Sequence, residues 1–361
     1  MAYYLVIDLG GSFFRVGIGT DNPIIPLERR LVNWMKENTT KRPDRLWIPG
    51  QIIDLVHLVL NRESLSKEDI TAIGIATPGP IQDGVIIGSP NLGCDYIPIV
   101  GPLMEEFNVP ILHDNDANTA ANGMGLARPD IRDQVTMCIS TGIGGGVYQD
   151  GGVRRGANYS SGEIGHFQVG WGIRGQEASC GCGALNCWEA HSSGSGIAGK
   201  AASFLMEYPS KRSYILSYVS SSPVSVAERS PLSLQELFDG ESESLFVPSG
   251  DNLIQGWMVY HAYHDGDPLA KRLVGEAIEV NKRGFGTINN AYNPQAIFVY
   301  GGVALGQWPI TVAPVIEEFG RPGGYCRKYT INPVPKIEKV PFDQIVLLGA
   351  LANAIEAANR L

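Results

Sequence analysis

The sequence predicts an α/β fold in two domains. Three observations carry that prediction: a length of 361 residues, apolar strand segments that alternate with helical ones, and two glycine-tipped hairpins about 130 residues apart. A chain this long exceeds the usual size of a single core. Strands alternating with helices pack as α/β layers that bind ligands at their strand ends.

The first hairpin is "YLVIDLGGSFFRVGIG": apolar Leu5, Val6 and Ile7 lead to Asp8, a Gly10-Gly11-Ser12 turn follows, and Phe13 to Ile18 return as a strand. A helix over Trp47 to Leu60 comes next, then the buried strand "TAIGIATPGP". The strand in "VPILHDNDAN" is expected to end in a carboxylate-rich loop before a small-residue helix, Thr119 to Ala127. The second hairpin, "VTMCISTGIGGGVYQDGG", repeats the plan of the first, with an apolar strand to Ser140, a glycine turn over Thr141 to Gly146 and a short strand to Tyr148. Two such loops suggest a duplicated architecture whose bared N–H groups face a shared anion. The Ser-rich stretch 213–250 is read as an irregular insertion. Helices resume from Leu253 to Tyr292. After them "QAIFVYGGVALG" is a strand whose paired glycines abut a ligand, and "DQIVLLGALANAIEAANRL" is a helix with one face of small residues, suited to close packing.

Composition removes several function classes. The formal net charge is −9 and the pI about 5.2, so no positive field is available to hold nucleic acid or anionic lipid. No stretch reaches the roughly 20 apolar residues needed to span a bilayer. The amino terminus lacks a basic n-region and meets Asp8 almost at once, so it is not read as a secretory signal. A cytoplasmic location is therefore expected, with no nucleic-acid or membrane partner. In that compartment clustered thiols bind metal more often than they pair as disulfides.

Three of the six cysteines lie within eight residues, at Cys180, Cys182 and Cys187. With His166 they supply three soft donors and one imidazole, the complement of a closed tetrahedral zinc site. Ordinary buried thiols and a disulfide are the competing readings, and His191 is a weaker substitute ligand. A closed site would be structural, since no position remains for Lewis-acid chemistry.

In "ILHDNDAN" the spacing of Asp114, Asp116 and Asn118 opens like an EF-hand loop, but Thr119 and Gly125 stand where glycine and glutamate are required. Capping of the following helix by Asx side chains is the plainer account of part of it. "GSGIAGKA" mimics a dinucleotide fingerprint and nearly a Walker loop. It fails on context, because Ala201 replaces the required hydroxyl and no apolar strand precedes it. A helix start fits better.

Taken together these segments resemble the ROK family of sugar kinases and related repressors, within the actin-like ATPase superfamily. "IDLGGSFFRVGI" and "STGIGGGV" are similar to the family's two phosphate loops, "ATPGPIQDGVI" to its sugar-side loop, "NDANTAA" to its catalytic segment and "YGGVALG" to its nucleoside segment. "EIGH" followed by "CGCGALNCWE" matches its sugar and zinc signature. The resemblance implies a two-domain actin-like ATPase (ribonuclease H-like) fold with an inter-domain cleft. Residues 1–120 plus 345–361 would form the smaller domain and 121–344 the larger.

The resemblance also implies roles. Asp116 would be the general base, with Gly79, Asn115, Glu163, His166 and Glu189 contacting a hexose. Asp8, Gly10, Gly11, Ser12, Thr141, Gly142, Gly144, Gly145, Gly301 and Gly302 would bind ATP and Mg²⁺. His166, Cys180, Cys182 and Cys187 would hold a structural Zn²⁺, with His166 also turned towards the sugar. The expected activity is transfer of the γ-phosphoryl group to a hexose, glucose first, with N-acetylhexosamine, N-acylmannosamine and fructose behind it, in a homodimer or homotetramer. A sugar-sensing regulator is the rival, disfavoured by the missing amino-terminal helix-turn-helix. Two departures stand out. Asn186 replaces a usual glycine, which is tolerable if that residue is left-handed, and the 213–250 stretch has no family counterpart.

Overall fold

The apolar runs Tyr3–Leu9 (β1) and Ile70–Thr77 (β4) are buried along almost their whole length, as strands covered on both faces must be. The computed structural model describes residues 2–39, 46–89, 92, 94–170, 177–219, 253–321 and 334–360. In it β1 pairs antiparallel with β2 (Phe13–Thr20), which pairs antiparallel with β3 (Leu31–Asn38). On its other side β1 runs parallel to β4, and β4 parallel to β8 (Ile111–Asn115). Helices α1 (Trp47–Arg62) and α2 (Val100–Phe107) cover this sheet through Ile52, Leu55, Val56, Val59, Leu103 and Phe107.

A second five-stranded sheet repeats the pattern. β9 (Gln134–Ile139) is antiparallel to β10 (Ile143–Gln149), which pairs with β11 (Gly152–Val153), and on its other side β9 is parallel to β12 (Ala296–Tyr300), itself parallel to β13 (Lys336–Lys339). Both sheets therefore run two antiparallel pairings and then two parallel ones, the duplication suggested by the two hairpins. A small antiparallel sheet of β5 (Ile81–Gln82), β6 (Val85–Ser89) and β7 (Cys94–Pro98) follows β4.

Between the two large sheets lie α3 (Asp116–Ala127) and the helix Ile345–Ala358, and small residues let their backbones touch. A Cβ on Gly349 would fall 1.8 Å from the Thr119 carbonyl oxygen, one on Gly74 of β4 1.8 Å from that of Ala350, and one on Gly146 of β10 2.2 Å from that of Ala117. The small face expected of the last helix thus packs as closely as its composition suggested.

Three expectations need correction. The second glycine turn spans only residues 140–142, because Gly144 to Gly146 continue as β10 in register with Cys138 to Thr136. The missing side chain of Gly146 admits α3, and that of Gly145 admits Ile164, rather than serving a long turn. No loop separates β8 from α3: the strand ends at Asn115 and the helix begins at Asp116, capped by Asn115 Oδ1, which accepts from the N–H groups of Ala117 and Asn118 at 2.9 and 3.4 Å. Lastly, the start of the Ser-rich stretch is ordered. Ser213 caps the short helix Tyr214–Ser217, and Ile215 and Leu216 are fully buried. Residues 220–252 lie outside the described residues.

Among the described residues no helix is long and apolar enough to cross a membrane. The helix contacts give a test. Gly74→Val should destabilise the protein by about 3 kcal/mol, the upper range for overpacking a rigid core, and a urea midpoint unchanged from the parent would contradict the packing described.

Candidate active site

The carboxyl ends of β1, β4 and β8 lie side by side, where open α/β sheets bind ligands. Asp8 is the penultimate residue of β1 and Thr77 pairs with Asn115 across β4 and β8. Strand register sets Asp8 opposite Arg15, whose Nε donates to Asp8 Oδ2 at 2.8 Å while a second guanidinium nitrogen closes a fork on the same oxygen. Burial raises the Asp8 carboxyl and Arg15 opposes it. Arg15 was not singled out from sequence, yet a hairpin with four residues, 10–13, between the paired Leu9 and Phe14 would have predicted this pairing. Between them, Gly10 to Ser12 form the turn, tied by Thr39 Oγ1 donating to the Gly10 carbonyl at 2.8 Å and Thr39 N–H donating to that of Ser12 at 3.0 Å.

Asp116, half-buried, opens α3. Its carboxyl is pushed up to about 7, first by burial and then by the negative charges of Asp8 and Glu163, against the Ala117 N–H that stabilises the anion. Its neighbour Asp114 behaves differently. Fully buried, it takes Arg155 Nε at 2.5 Å and Asn118 Nδ2 at 3.1 Å, and the Arg155 fork also grips Glu356 of the last helix. Asp114 is thus occupied internally, which disposes of the EF-hand likeness. His113 is buried, lies 2.7 Å from Thr77 Oγ1 through Nε2, and is pushed down to about 3 by burial, so it stays neutral.

The Arg155 segment leads through Gly162, at φ +85°, into Glu163. Burial raises the Glu163 carboxyl, His166 opposes and Glu189 adds to the rise, so Asp8, Asp116, Glu163 and Glu189 form one acidic neighbourhood. Glu189, in the helix Trp188–Ser192 (α4), accepts the Ile143 N–H through Oε2 at 2.7 Å. Gly79, at φ +85°, follows β4 two residues past Thr77.

On the other side of the second hairpin turn lies a cavity of about 740 Å³, lined by Ser140, Thr141 and Gly302 among others. Gly301 closes the approach at φ +99°, where a Cβ would sit 2.6 Å from the Ile139 carbonyl oxygen. Gly142 lies against Glu189, while Gly144 and Gly145 sit within β10 and do not line this cavity. Sequence reasoning missed two of its walls. One is the start of the helix Gly194–Glu207 (α5), docked by Gly194 N–H on the Ser140 carbonyl and by Ser195 on that of Thr141. The other is Gln255 to Met258. The glycines of "GSGIAG", dismissed as a phosphate fingerprint, were the available signal for the first.

The thiol cluster assembles as expected. The donor atoms of His166, Cys180, Cys182 and Cys187 all lie within 4.8 Å of one another, with Cys182 and Cys187 sulfurs 3.7 Å apart and His166 Nδ1 3.5 Å from Cys180 Sγ. A tetrahedron with Zn–S near 2.3 Å and Zn–N near 2.0 Å has edges of about 3.8 and 3.5 Å, so the donor set fits that ion. His166 turns Nδ1 to the thiols and holds Nε2 3.9 Å from Glu163 Oε2, linking the cluster to the acidic group. Asn186 adopts φ +59°, the left-handed state its place in the loop required. Burial pushes the Cys187 thiol up to about 12, so deprotonating it as a ligand depends on a dication's own charge. Chelation should therefore lower the melting temperature, and Zn²⁺ but not Mg²⁺ should restore it; a melting curve indifferent to both would contradict a metal role.

A family model described as "ROK family" matches residues 4–312. The glucokinase of Halalkalibacterium halodurans is 31% identical over 210 residues, 57% of this chain and 61% of that protein. The xylose repressor of Bacillus subtilis is 32% identical over 145 residues, 39% of this chain and 37% of the repressor. The chain thus spans less than two thirds of either relative. Among solved structures, the ROK hexokinase from Thermus thermophilus superposes with a TM-score of 0.71 at 23% identity, covering 99% of both chains. The fold is that of the actin-like ATPases.

Proposed function

The chain belongs to the ROK family, and from that premise we propose that it is an ATP-dependent sugar kinase that transfers the γ-phosphoryl group to a hexose hydroxyl, glucose O6 first. The observation that carries this reading is the carboxyl of Asp116, lifted to about 7 at the tip of β8 and faced by Glu163. A general base works best with its pKa near the operating pH, and nothing in helix capping requires such a shift. The glucokinase relative supports the choice of sugar.

In this mechanism the hexose lies among Gly79, Asn115, Glu163, His166 and Glu189, and the carboxylate oxygens of Glu163 and Glu189 accept charge-assisted bonds from ring hydroxyls. Asn115 Oδ1 is spent on the cap, which leaves its Nδ2 to donate to the sugar. As the sugar oxygen bonds to the γ-phosphorus and the bond to the ADP oxygen breaks, the hydroxyl proton passes to Asp116. Mg²⁺ bound with ATP would offset phosphate charge, as loose phosphoryl-transfer transition states require, and Asp8 would help hold it through the oxygen that Arg15 leaves open. Gly10, Gly11, Ser12, Thr141 and Gly142 would turn N–H and hydroxyl groups to the phosphates, with Gly301 and Gly302 beside the nucleoside. The same reading includes a structural Zn²⁺, the division at 1–120 with 345–361 against 121–344, and a homodimer or homotetramer.

A sugar-sensing regulator is the second reading, favoured by the repressor match. Coupled ADP release across glucose, N-acetylglucosamine, N-acetylmannosamine and fructose separates the two: a kinase gives sugar-dependent ADP with glucose fastest, a sensor binds sugar and releases none.

Asp116→Asn should fold and bind glucose by calorimetry yet lose about 10³-fold in turnover, within the range for a positioned base. Near-parental turnover would remove the assignment. In the parent, kcat/KM should rise with pH through about 7, because the base acts only when deprotonated. Stability should move the other way. A carboxyl raised from about 3.9 unfolded to about 7 folded makes the native state bind more protons across that window, so its charge costs stability as pH rises. Asp116→Asn should therefore melt above the parent at pH 8 and alongside it at pH 4; the reverse ordering would contradict the raised pKa.

A further inference from the structure

Two residues that the mechanism leaves unused, His191 and Lys200, are buried together behind the thiol loop. His191 is 2% exposed. Its Nδ1 lies 3.2 Å from Lys200 Nζ and its Nε2 3.2 Å from Asn186 Oδ1. Lys200 is paired with Glu276 of the helix Pro268–Tyr292, both side chains being 10% exposed or less.

These partners fix the tautomer. An ammonium can only donate, so His191 Nδ1 accepts and carries no proton. The remaining ring proton sits on Nε2 and is donated to Asn186 Oδ1. That oxygen also accepts the Ala178 N–H at 3.0 Å, the Asn186 N–H donates to the Ala178 carbonyl at 2.8 Å, and the Asn186 carbonyl accepts the Gly170 N–H at 3.0 Å. Gly170 is required for the approach, since a Cβ there would lie 2.4 Å from His191 Nε2. Every polar group of Asn186 but its Nδ2 is thus engaged, in a residue held at φ +59° directly before Cys187.

We propose that Lys200, His191 and Asn186 form a positioning relay that presets the thiol loop for its metal and, through α4, fixes Glu189. The left-handed state costs a residue with a Cβ conformational energy that glycine escapes. The relay supplies the compensating bonds and so turns a strained loop into a rigid one. Outer bonds of this kind hold metal ligands in place elsewhere, and losing them typically costs 10- to 100-fold in metal affinity. The inference rests on the metal reading of the His166, Cys180, Cys182 and Cys187 cluster.

The test is Zn²⁺ affinity by chelator competition, with the melting temperature of the metal-free protein recorded alongside. His191→Phe keeps the bulk and removes the donor, and its Zn²⁺ dissociation constant should rise by at least about tenfold with little change in metal-free melting. Adding Asn186→Gly to that variant should recover most of the loss, because glycine holds φ +59° unaided. If His191→Phe does not fold, Lys200→Met with Glu276→Met removes the buried pair without leaving a lone charge and should weaken Zn²⁺ in the same direction. Parental affinity in the folded variant would overturn the relay, as would an equal fall in melting with and without metal, which marks general packing. A parent that binds no Zn²⁺ overturns the metal reading itself, and the relay with it.

Discussion

The close contact of α3 with the helix Ile345–Ala358 on one side and with β10 on the other governs the rest of this structure. Backbone meets backbone there, at Gly349 against Thr119 and Gly146 against Ala117. Interiors at crystal-like density cannot absorb an added methyl at such distances. The two sheets are thereby clamped to one helix whose first residue is Asp116. A helix buried along Ala117 to Ala121 has no freedom to shift, so the carboxylate at its head is fixed relative to both hairpin turns. The polar seam reinforces the clamp: Asn353 Nδ2 donates to Thr119 Oγ1 at 3.2 Å, and Asn122 Nδ2 to Asn353 Oδ1 at 2.7 Å.

On that frame, charge pairing divides the labour among carboxylates that look alike. Asp114 and Asp116 stand two residues apart, yet the first is locked by the Arg155 fork, while the second forms no ion pair among the described residues and has Asp8 and Glu163 as charged neighbours. Asp8, too, has its cation in Arg15. Burial raises all three carboxyls, but Arg15 and Arg155 oppose the rise at Asp8 and Asp114 while the acids beside Asp116 add to it, so two arginines bias by their positions which acid is free to take a proton. His191 follows the same logic in reverse. Burial and the nearby cations Lys200 and Arg283 push it down to about 4, which leaves it a neutral, oriented donor.

Much of this was legible in the chain itself. The hairpins, β4, β8, α1 and the last helix follow from apolar runs broken by glycine, and the thiol cluster follows from donor type and spacing. The misreadings were local and share a cause. Gly144 to Gly146 read as a turn because glycine favours turns, whereas here Gly146 makes room for α3 and Gly145 for Ile164. "HDND" read as a loop because Asp and Asn favour loops, whereas Asn115 is the cap on which the helix starts. Glycines of α5 read as a false phosphate motif, though the Gly194 and Ser195 N–H groups at its start do reach the second hairpin turn.

What the sequence determined by itself is therefore whatever is set by nearest neighbours along the chain: strand and helix propensity, the tightness of the glycine turns, the left-handed demand on Asn186, and the identity of four metal-type donors. The tertiary structure decided which acid is paired and which is not, which histidine faces the thiols and which braces them, and where the cavity opens. Those outcomes depend on burial and on charges brought together from far along the chain, as Arg155 is to Glu356 or Lys200 to Glu276. Electrostatic energy falls off with distance in space and with access to water, and neither quantity is written in sequence separation.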